Sequence, residues 1–150
     1  MPLYEAERHE RLIGIDWNED RARAAIDQIV TDTDRSFSTE GLWPIHPIDR
    51  SPERPTDSIK HMYHGAAGVI WTLNYLNETG AVALERDYLP TVRQLIPRIR
   101  ADIDRYPEVR KYMGAELASY LLGETGILLL QWKNGAVRRC CAPTLQSSRS

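Results

Sequence analysis

Two stretches of this chain repeat one pattern, in which two glycines three positions apart precede an apolar run. Residues 64–73 read HGAAGVIWTL, and residues 122–130 read LGETGILLL. The first glycines of the two copies, Gly65 and Gly123, lie 58 residues apart (123 − 65 = 58), and Gly68 and Gly126 keep the same interval. Because an internal repeat indicates equivalent structural units, we predict two units, each with a helix that begins near its glycine pair.

An amphipathic segment precedes each apolar one. Residues 19–37 and 87–106 carry apolar side chains at three- and four-residue steps, which predicts surface helices with one buried face. Residues 65–78, and a segment within 115–133, are apolar nearly all round, which is typical of helices enclosed by other helices. Pro97 lies inside the third predicted helix and is expected to kink or split it. We therefore predict an all-α fold, a partial α/α toroid of two helical hairpins with outer amphipathic and inner apolar helices.

The segments between and after these helices have a different composition. Four prolines between residues 38 and 60 exclude a continuous helix there, while apolar side chains in the same loop indicate that it packs on the body. These side chains are Leu42, Trp43, Ile45 and Ile48. After Lys133 the helical periodicity ends, so we predict helical repeats over residues 1–133 and an irregular or disordered tail over 134–150. A shifted reading frame near residue 134 is the other interpretation of this tail.

Composition excludes several classes of protein. The chain has 150 residues, 42% of them hydrophobic, and a formal net charge of −2, so it has no strong positive field for nucleic acid. Its longest stretch without Asp, Glu, Lys or Arg, which includes residues 62–77 and begins after Lys60, is shorter than the roughly 20 residues that span a bilayer. The N-terminus is polar and lacks the apolar core of a signal peptide, so we expect a cytoplasmic protein.

At its two glycine pairs the chain resembles the lanthionine synthetase C-like (LanC-like) family, over roughly residues 10–133. The resemblance implies an α/α toroid whose inner helices each begin near a G-x-x-G motif, here Gly65 with Gly68 and Gly123 with Gly126. Cyclases of that family modify peptides. They use zinc, bound by a cysteine and a later Cys-His pair, to deprotonate a peptide thiol that adds to a dehydrated residue and closes a thioether ring.

The zinc ligands of that family have no counterpart in this chain. None of its four histidines follows Cys140 or Cys141, and it has no Cys-His dipeptide. We therefore expect no metal site and no cofactor in this chain, although full-length relatives bind zinc. The resemblance implies a truncated LanC-like protein without catalytic activity on its own, and whether the chain is an enzyme stays open.

Individual residues of the motif have structural as well as functional interpretations. The four glycines are interpreted as close-packing positions at helix starts, because no Lys-Ser or Lys-Thr follows them as in a phosphate-binding loop. His61 and His64 have the spacing of two metal ligands on one helical turn, but a packing role is favoured. His64 is our candidate for contact with a substrate, and it is expected to face the cavity of a complete toroid. Glu124 is interpreted as a residue that serves a helix N-terminus.

Two other functions stay open, a stand-alone helical module that binds a peptide or protein and a fragment of a carbohydrate-active α/α toroid. The latter ranks last, because glycosidases usually need two placed carboxylates and the inner helices offer no convincing pair. An incomplete ring would also leave inner-helix residues without neighbours. We expect this for Val69, Trp71, Ile127 and Leu129, and hence self-association through exposed apolar helices.

Overall fold

Helices form most of the chain that the structure describes. The computed structural model describes residues 14, 16–50, 58–105 and 117–140, with the side chains of the last helix described through residue 135. Within these residues there are four α-helices, named here α1 (Glu19–Arg35), α2 (Ala66–Glu78), α3 (Leu89–Arg105) and α4 (Thr125–Cys140). A 3-10 helix at Pro47–Asp49 and an isolated bridge between Ser38 and Leu42 complete the regular structure of the described part. The predicted all-α class is confirmed.

The first helix has a clear start but little burial. Asn18 has extended backbone, and its side chain accepts a hydrogen bond from the Arg21 N–H at 2.8 Å, as an N-cap does. Acidic Glu19 and Asp20 then occupy the first turn, where they favour the positive end of the helix dipole. None of the residues of α1 is fully buried, but the predicted face is the less exposed one, because Ala22, Ile26, Val30 and Thr33 are half-buried. Ile29 is exposed, which corrects the prediction for that residue.

The third helix matches its predicted pattern closely. Its apolar stripe lies in the core, and Pro97 sits inside the helix without splitting it. The prediction from periodicity is therefore confirmed for the described part of this segment, while residue 106 lies outside it. The buried residues are Leu89, Val92, Leu95, Ile96, Ile99 and Ile103.

The two apolar helices begin at the glycine pairs. Gly65 is the N-cap of α2, and α4 begins at Thr125, between the two glycines of the second pair. The backbone of α4 continues through Cys140, so the predicted boundary at residue 133 does not mark the end of regular structure. Residues 141–150 lie outside the described part. Within that part, no helix is long and apolar enough to cross a membrane.

The core lies where α3 packs against both α2 and α4. Leu42 closes it from the proline-rich loop, where it is fully buried with a φ of 57°. Trp43 and Ile45 are half-buried, as expected for a loop that packs on the body, but Ile48 is exposed, which corrects the prediction for that residue.

Candidate functional site

Two segments lead into the apolar helices and share one arrangement of hydrogen bonds. We name residues 59–68 the first glycine segment and residues 117–126 the second glycine segment. In each, the residue after the first glycine donates its backbone N–H to the carbonyl seven positions earlier. The matching pairs are Ala66 to Ile59 at 2.9 Å and Glu124 to Leu117 at 2.8 Å. The carbonyls one position later in the two segments also accept hydrogen bonds from equivalent residues. Lys60 accepts from the Ala67 N–H at 3.2 Å, and Ala118 accepts from the Thr125 hydroxyl at 2.8 Å.

The second glycine of each pair lies against a backbone carbonyl. A Cβ at Gly68 would collide with the Met62 carbonyl oxygen, and a Cβ at Gly126 would collide with the Tyr120 carbonyl oxygen. Both carbonyls belong to the residue six positions before the glycine. The chain therefore has no room for a side chain at either position, and the requirement is the same in both units.

The two glycine segments also contact each other directly. The Tyr63 N–H donates to the Leu121 carbonyl at 3.0 Å, and these two residues occupy equivalent places in the two units. The Met62 side chain of the first glycine segment packs against Gly126 of the second, at a place where a Cβ would collide with it. Helices α2 and α4 therefore start side by side.

The first glycine segment carries a pair of histidines that the second lacks. His61 is half-buried and packs edge-on against exposed His64, with ring centroids 4.5 Å apart. Burial, with a smaller contribution from the nearby His64, lowers the pKa of His61 to about 4. Its Nδ1 atom is buried and finds no hydrogen-bond partner among the described residues. His61 is therefore neutral at physiological pH.

His64 borders an apolar groove between α1 and α2. The groove has a volume of about 570 Å³. Ile29, Val30 and Thr33 line one side of it, and the first glycine segment and outer face of α2 line the other. Beside it, exposed Trp71 and Tyr75 stack nearly parallel, with ring centroids 5.7 Å apart and an interplanar angle of 8°. The groove offers apolar contacts and aromatic faces, with the His64 imidazole as a polar neighbour.

Helix α3 is ion-paired to each glycine segment. Lys60 of the first donates to Asp102 at 2.6 Å, and the ammonium side of this pair is buried. Arg100 binds both carboxylate oxygens of Glu124 in the second, at 2.7 and 2.8 Å, and this contact lowers the pKa of Glu124. The carboxylate of Glu124 is thus paired with a guanidinium, a role that its position before an apolar helix did not reveal.

A second polar cluster attaches α1 to the segment before α3. The Asp34 carboxylate accepts from Arg86 at 2.8 Å and from the Tyr88 hydroxyl at 2.6 Å. Hydrogen bonds from Arg86 and then Tyr88 lower the pKa of Asp34, while burial and the Asp34 contact raise that of Tyr88. Phe37 and Trp43 pack against the Tyr88 ring, with centroids 5.2 and 5.6 Å from it. Sequence reasoning missed this cluster, because its ion-pair partners are more than fifty positions apart.

Two further predictions concern metals and exposure. In the ranges 16–50, 58–105 and 117–135, no group of three or more His, Cys, Asp or Glu side chains is placed to hold a metal ion. Trp71 and Leu129 are exposed and Val69 is half-exposed, as expected for an open ring. Ile127 is fully buried, so the expectation of exposure is wrong for it, because Ile127 lies in the shared core rather than on the open side.

Compared with protein-family models, curated proteins and solved structures, the chain has no match.

Proposed function

We propose that this chain supplies two consecutive hairpins of a LanC-like α/α toroid in the cytoplasm and that it binds a peptide without performing thioether chemistry on its own. The observation that supports the proposal most is that the two glycine segments, 58 residues apart, make matching backbone hydrogen bonds between equivalent residues. Repeated inner helices that begin side by side at glycine pairs are what a toroid of helical hairpins requires.

The peptide surface in this proposal is the aromatic surface, defined as His64, Trp71 and Tyr75. The stacked rings of Trp71 and Tyr75 present apolar area to solvent, and His64 adds a polar group beside them. Exposed aromatic rings bind partners at a low cost in conformational entropy, because few side-chain torsions have to be fixed. A dehydrated peptide has the flat apolar residues that suit such a surface.

The expected lack of chemistry follows from the residues that the sequence contains. Thioether closure forms a carbon–sulfur bond between a cysteine thiolate and a dehydrated residue, and a proton ends on the α-carbon of that residue. A bound zinc ion makes the thiolate, because metal coordination deprotonates a thiol. This chain has two cysteines, both after every histidine in the sequence, and it has no Cys-His dipeptide.

Peptide binding is tested with a fluorescent peptide that contains one cysteine and one dehydrobutyrine. We expect saturable anisotropy with the wild-type chain and weaker binding by His64→Ala and Trp71→Ala. His46→Ala and Trp17→Ala are the matched controls, because both residues are exposed and neither lines the groove. Equal binding by all four variants would contradict the proposed surface.

The absence of chemistry is tested on the same peptide by thiol alkylation. We expect its cysteine to stay fully alkylatable after incubation with the chain and added zinc. Loss of the free thiol would show that the chain closes thioether rings and would overturn this part of the proposal. Equal affinity for a peptide with threonine in place of dehydrobutyrine would favour the stand-alone binding module instead.

A further inference from the structure

The packing of α2 on α4 shows how one unit receives its neighbour. The face of α4 that contains Gly126, Ile127 and Leu130 is buried, and Ile127 is completely inaccessible. Met62 packs on Gly126, and the Asn74 amide donates to the Asn134 side chain at 3.4 Å. The first unit therefore covers one defined face of α4.

Among the residues that the structure describes, none covers the equivalent face of α2 in this way. The residues 58 positions before Gly126, Ile127, Leu130 and Asn134 are Gly68, Val69, Thr72 and Leu76, named here the head face. All four line the groove between α1 and α2. Thr72 is exposed where its counterpart Leu130 is buried, and Val69 is half-buried where its counterpart Ile127 is inaccessible. The groove is the place that a preceding unit would occupy.

Among the residues that the structure describes, the second unit leaves the complementary face uncovered. Three apolar side chains are exposed there, and we name them the tail face: Tyr120, Leu128 and Trp132. Their counterparts in the first unit are Met62, Ile70 and Asn74. Ile70 is buried in the core, Met62 packs on Gly126, and Asn74 bonds to α4. The tail face is therefore the packing surface of the unit, left open on α4.

From these two faces we infer that a second copy of this chain binds head to tail, with the tail face of one copy in the groove of the next. The repeat specifies the contacts, because each is the internal contact shifted by one unit. Tyr120 packs on Gly68 as Met62 packs on Gly126, and Trp132 faces Leu76 where Asn74 faces Asn134. The Leu121 N–H donates to the Tyr63 carbonyl of the second copy, as the Tyr63 N–H donates to Leu121 within one chain.

A second copy suits both faces because one chain carries the two halves of the same interface. Between copies, the apolar pair Trp132 and Leu76 takes the place that the amides of Asn74 and Asn134 have within one chain. This contact buries the exposed Trp132 ring. Such a contact is heterologous, so it builds closed rings when the rotation between copies closes and open filaments when it does not. The inference does not depend on peptide binding, and it is measured without peptide.

The test compares variants that block one face each. Thr72→Arg places a charge in the centre of the head face, and Trp132→Glu places one on the tail face. Both positions are exposed, so circular dichroism is expected to show wild-type helix content. Gln94→Arg and Trp17→Glu make the same charge changes at exposed positions outside both faces. Sedimentation velocity of the full chain over a wide concentration range gives the size of each protein.

We expect wild type and the two controls to form dimers or larger species at concentrations where both blocked variants are monomers. An equimolar mixture of Thr72→Arg and Trp132→Glu should form dimers and nothing larger, because it retains one intact head face and one intact tail face. A monomeric wild-type chain would overturn the inference. Association that survives either single substitution would also overturn it, because the contact would then not join head to tail.

Discussion

Helices α1 and α3 have the same length, 17 residues, and both are amphipathic, yet α3 buries six side chains and α1 buries none. The apolar stripe of α3 has more large aliphatic side chains, and the two helices also differ in their neighbours. Helix α3 packs against α2 and α4, whereas α1 lies across the groove from α2, with Val30 against the edge of the core and Asp34 bonded to the segment before α3. An apolar stripe identifies the face that a helix can bury, but burial needs a surface to cover that face.

Polar and aromatic contacts hold α1 where apolar burial does not. Asp34 binds Arg86 and Tyr88, and the Trp43 indole N–H donates to the Thr33 carbonyl at 2.7 Å. These contacts lie near the C-terminal end of α1. Ile29, one turn earlier, is 63% exposed. Among the described residues, the contacts that hold α1 thus lie mainly near its C-terminal end.

The largest effect that tests this comparison is the loss of a buried side chain at one of two equivalent positions. Leu130→Ala should lower the free energy of unfolding by about 3 kcal/mol, because Leu130 is buried and its loss leaves a cavity. Thr72→Ala, at the equivalent exposed position, should change it by less than about 0.5 kcal/mol. Urea unfolding measures both, and equal effects would contradict the assignment of a covered and an open face.

A second test concerns the space at the repeated glycines. Gly126→Ala should lower the free energy of unfolding by about 2 kcal/mol, because its Cβ collides with the Tyr120 carbonyl and the Met62 side chain. Gly68→Ala should have a similar cost, because the Met62 carbonyl is equally close.

Gly135 in α4 provides the control for both glycine variants. No atom lies within 4 Å of the position that its Cβ would take, so Gly135→Ala should stabilise the helix by about 0.5–1 kcal/mol. Thermal or urea unfolding of the three variants distinguishes them. If Gly68→Ala were neutral while Gly126→Ala was costly, the two glycine segments would not be equivalent.

The third test compares the two ion pairs that join α3 to the glycine segments. Lys60→Ala should lower the free energy of unfolding by about 2 kcal/mol, because Lys60 is buried and its partner Asp102 would keep a poorly solvated charge. Arg100→Ala should cost about as much, because its own guanidinium is largely exposed but the Glu124 carboxylate that it leaves without a partner has a side chain only 12% exposed. A neutral effect of either variant, measured by urea unfolding, would show that the partner left behind is not held in a poorly solvated state.

The sequence predicts the helices well because their periodicity and glycine pairs are local. The stripe of α3 and the starts of α2 and α4 follow from residues within a few turns of each other. The burial of α1 could not be predicted in this way, since periodicity does not reveal whether a neighbour exists. For the same reason the sequence predicts exposure for both Ile127 and Leu129, although Ile127 is buried and only Leu129 is exposed. The ion pair of Lys60 with Asp102 joins residues 42 positions apart and leaves no local pattern.

The last test concerns a pH dependence of the first glycine segment that His61 confers and that has no equivalent histidine in the second. His61 has a pKa of about 4 in the folded chain, below its ordinary value of 6.5, because burial disfavours the charged ring. Its equivalent in the second glycine segment is Ser119, which does not titrate in this range. Since the unfolded chain binds more protons between these two pKa values, the free energy of unfolding should fall as pH is lowered from about 6.5 towards 4.

His61→Phe should flatten this slope, because phenylalanine keeps an aromatic ring against His64 and cannot be protonated. Urea unfolding at a series of pH values measures the slope, and His46→Gln is the control, because His46 is exposed and remote from the pair. Arg86 and Arg100 lower the pKa values of Asp34 and Glu124 below the ordinary 3.8 and 4.5, so the stability that these carboxyls contribute is lost as pH falls through those ordinary values, at the acid end of this window and below it. The slope between about pH 6.5 and 5 therefore reports on His61. If His61→Phe kept the wild-type slope while His46→Gln lost it, the acid sensitivity would lie in the proline-rich loop rather than at the first glycine segment.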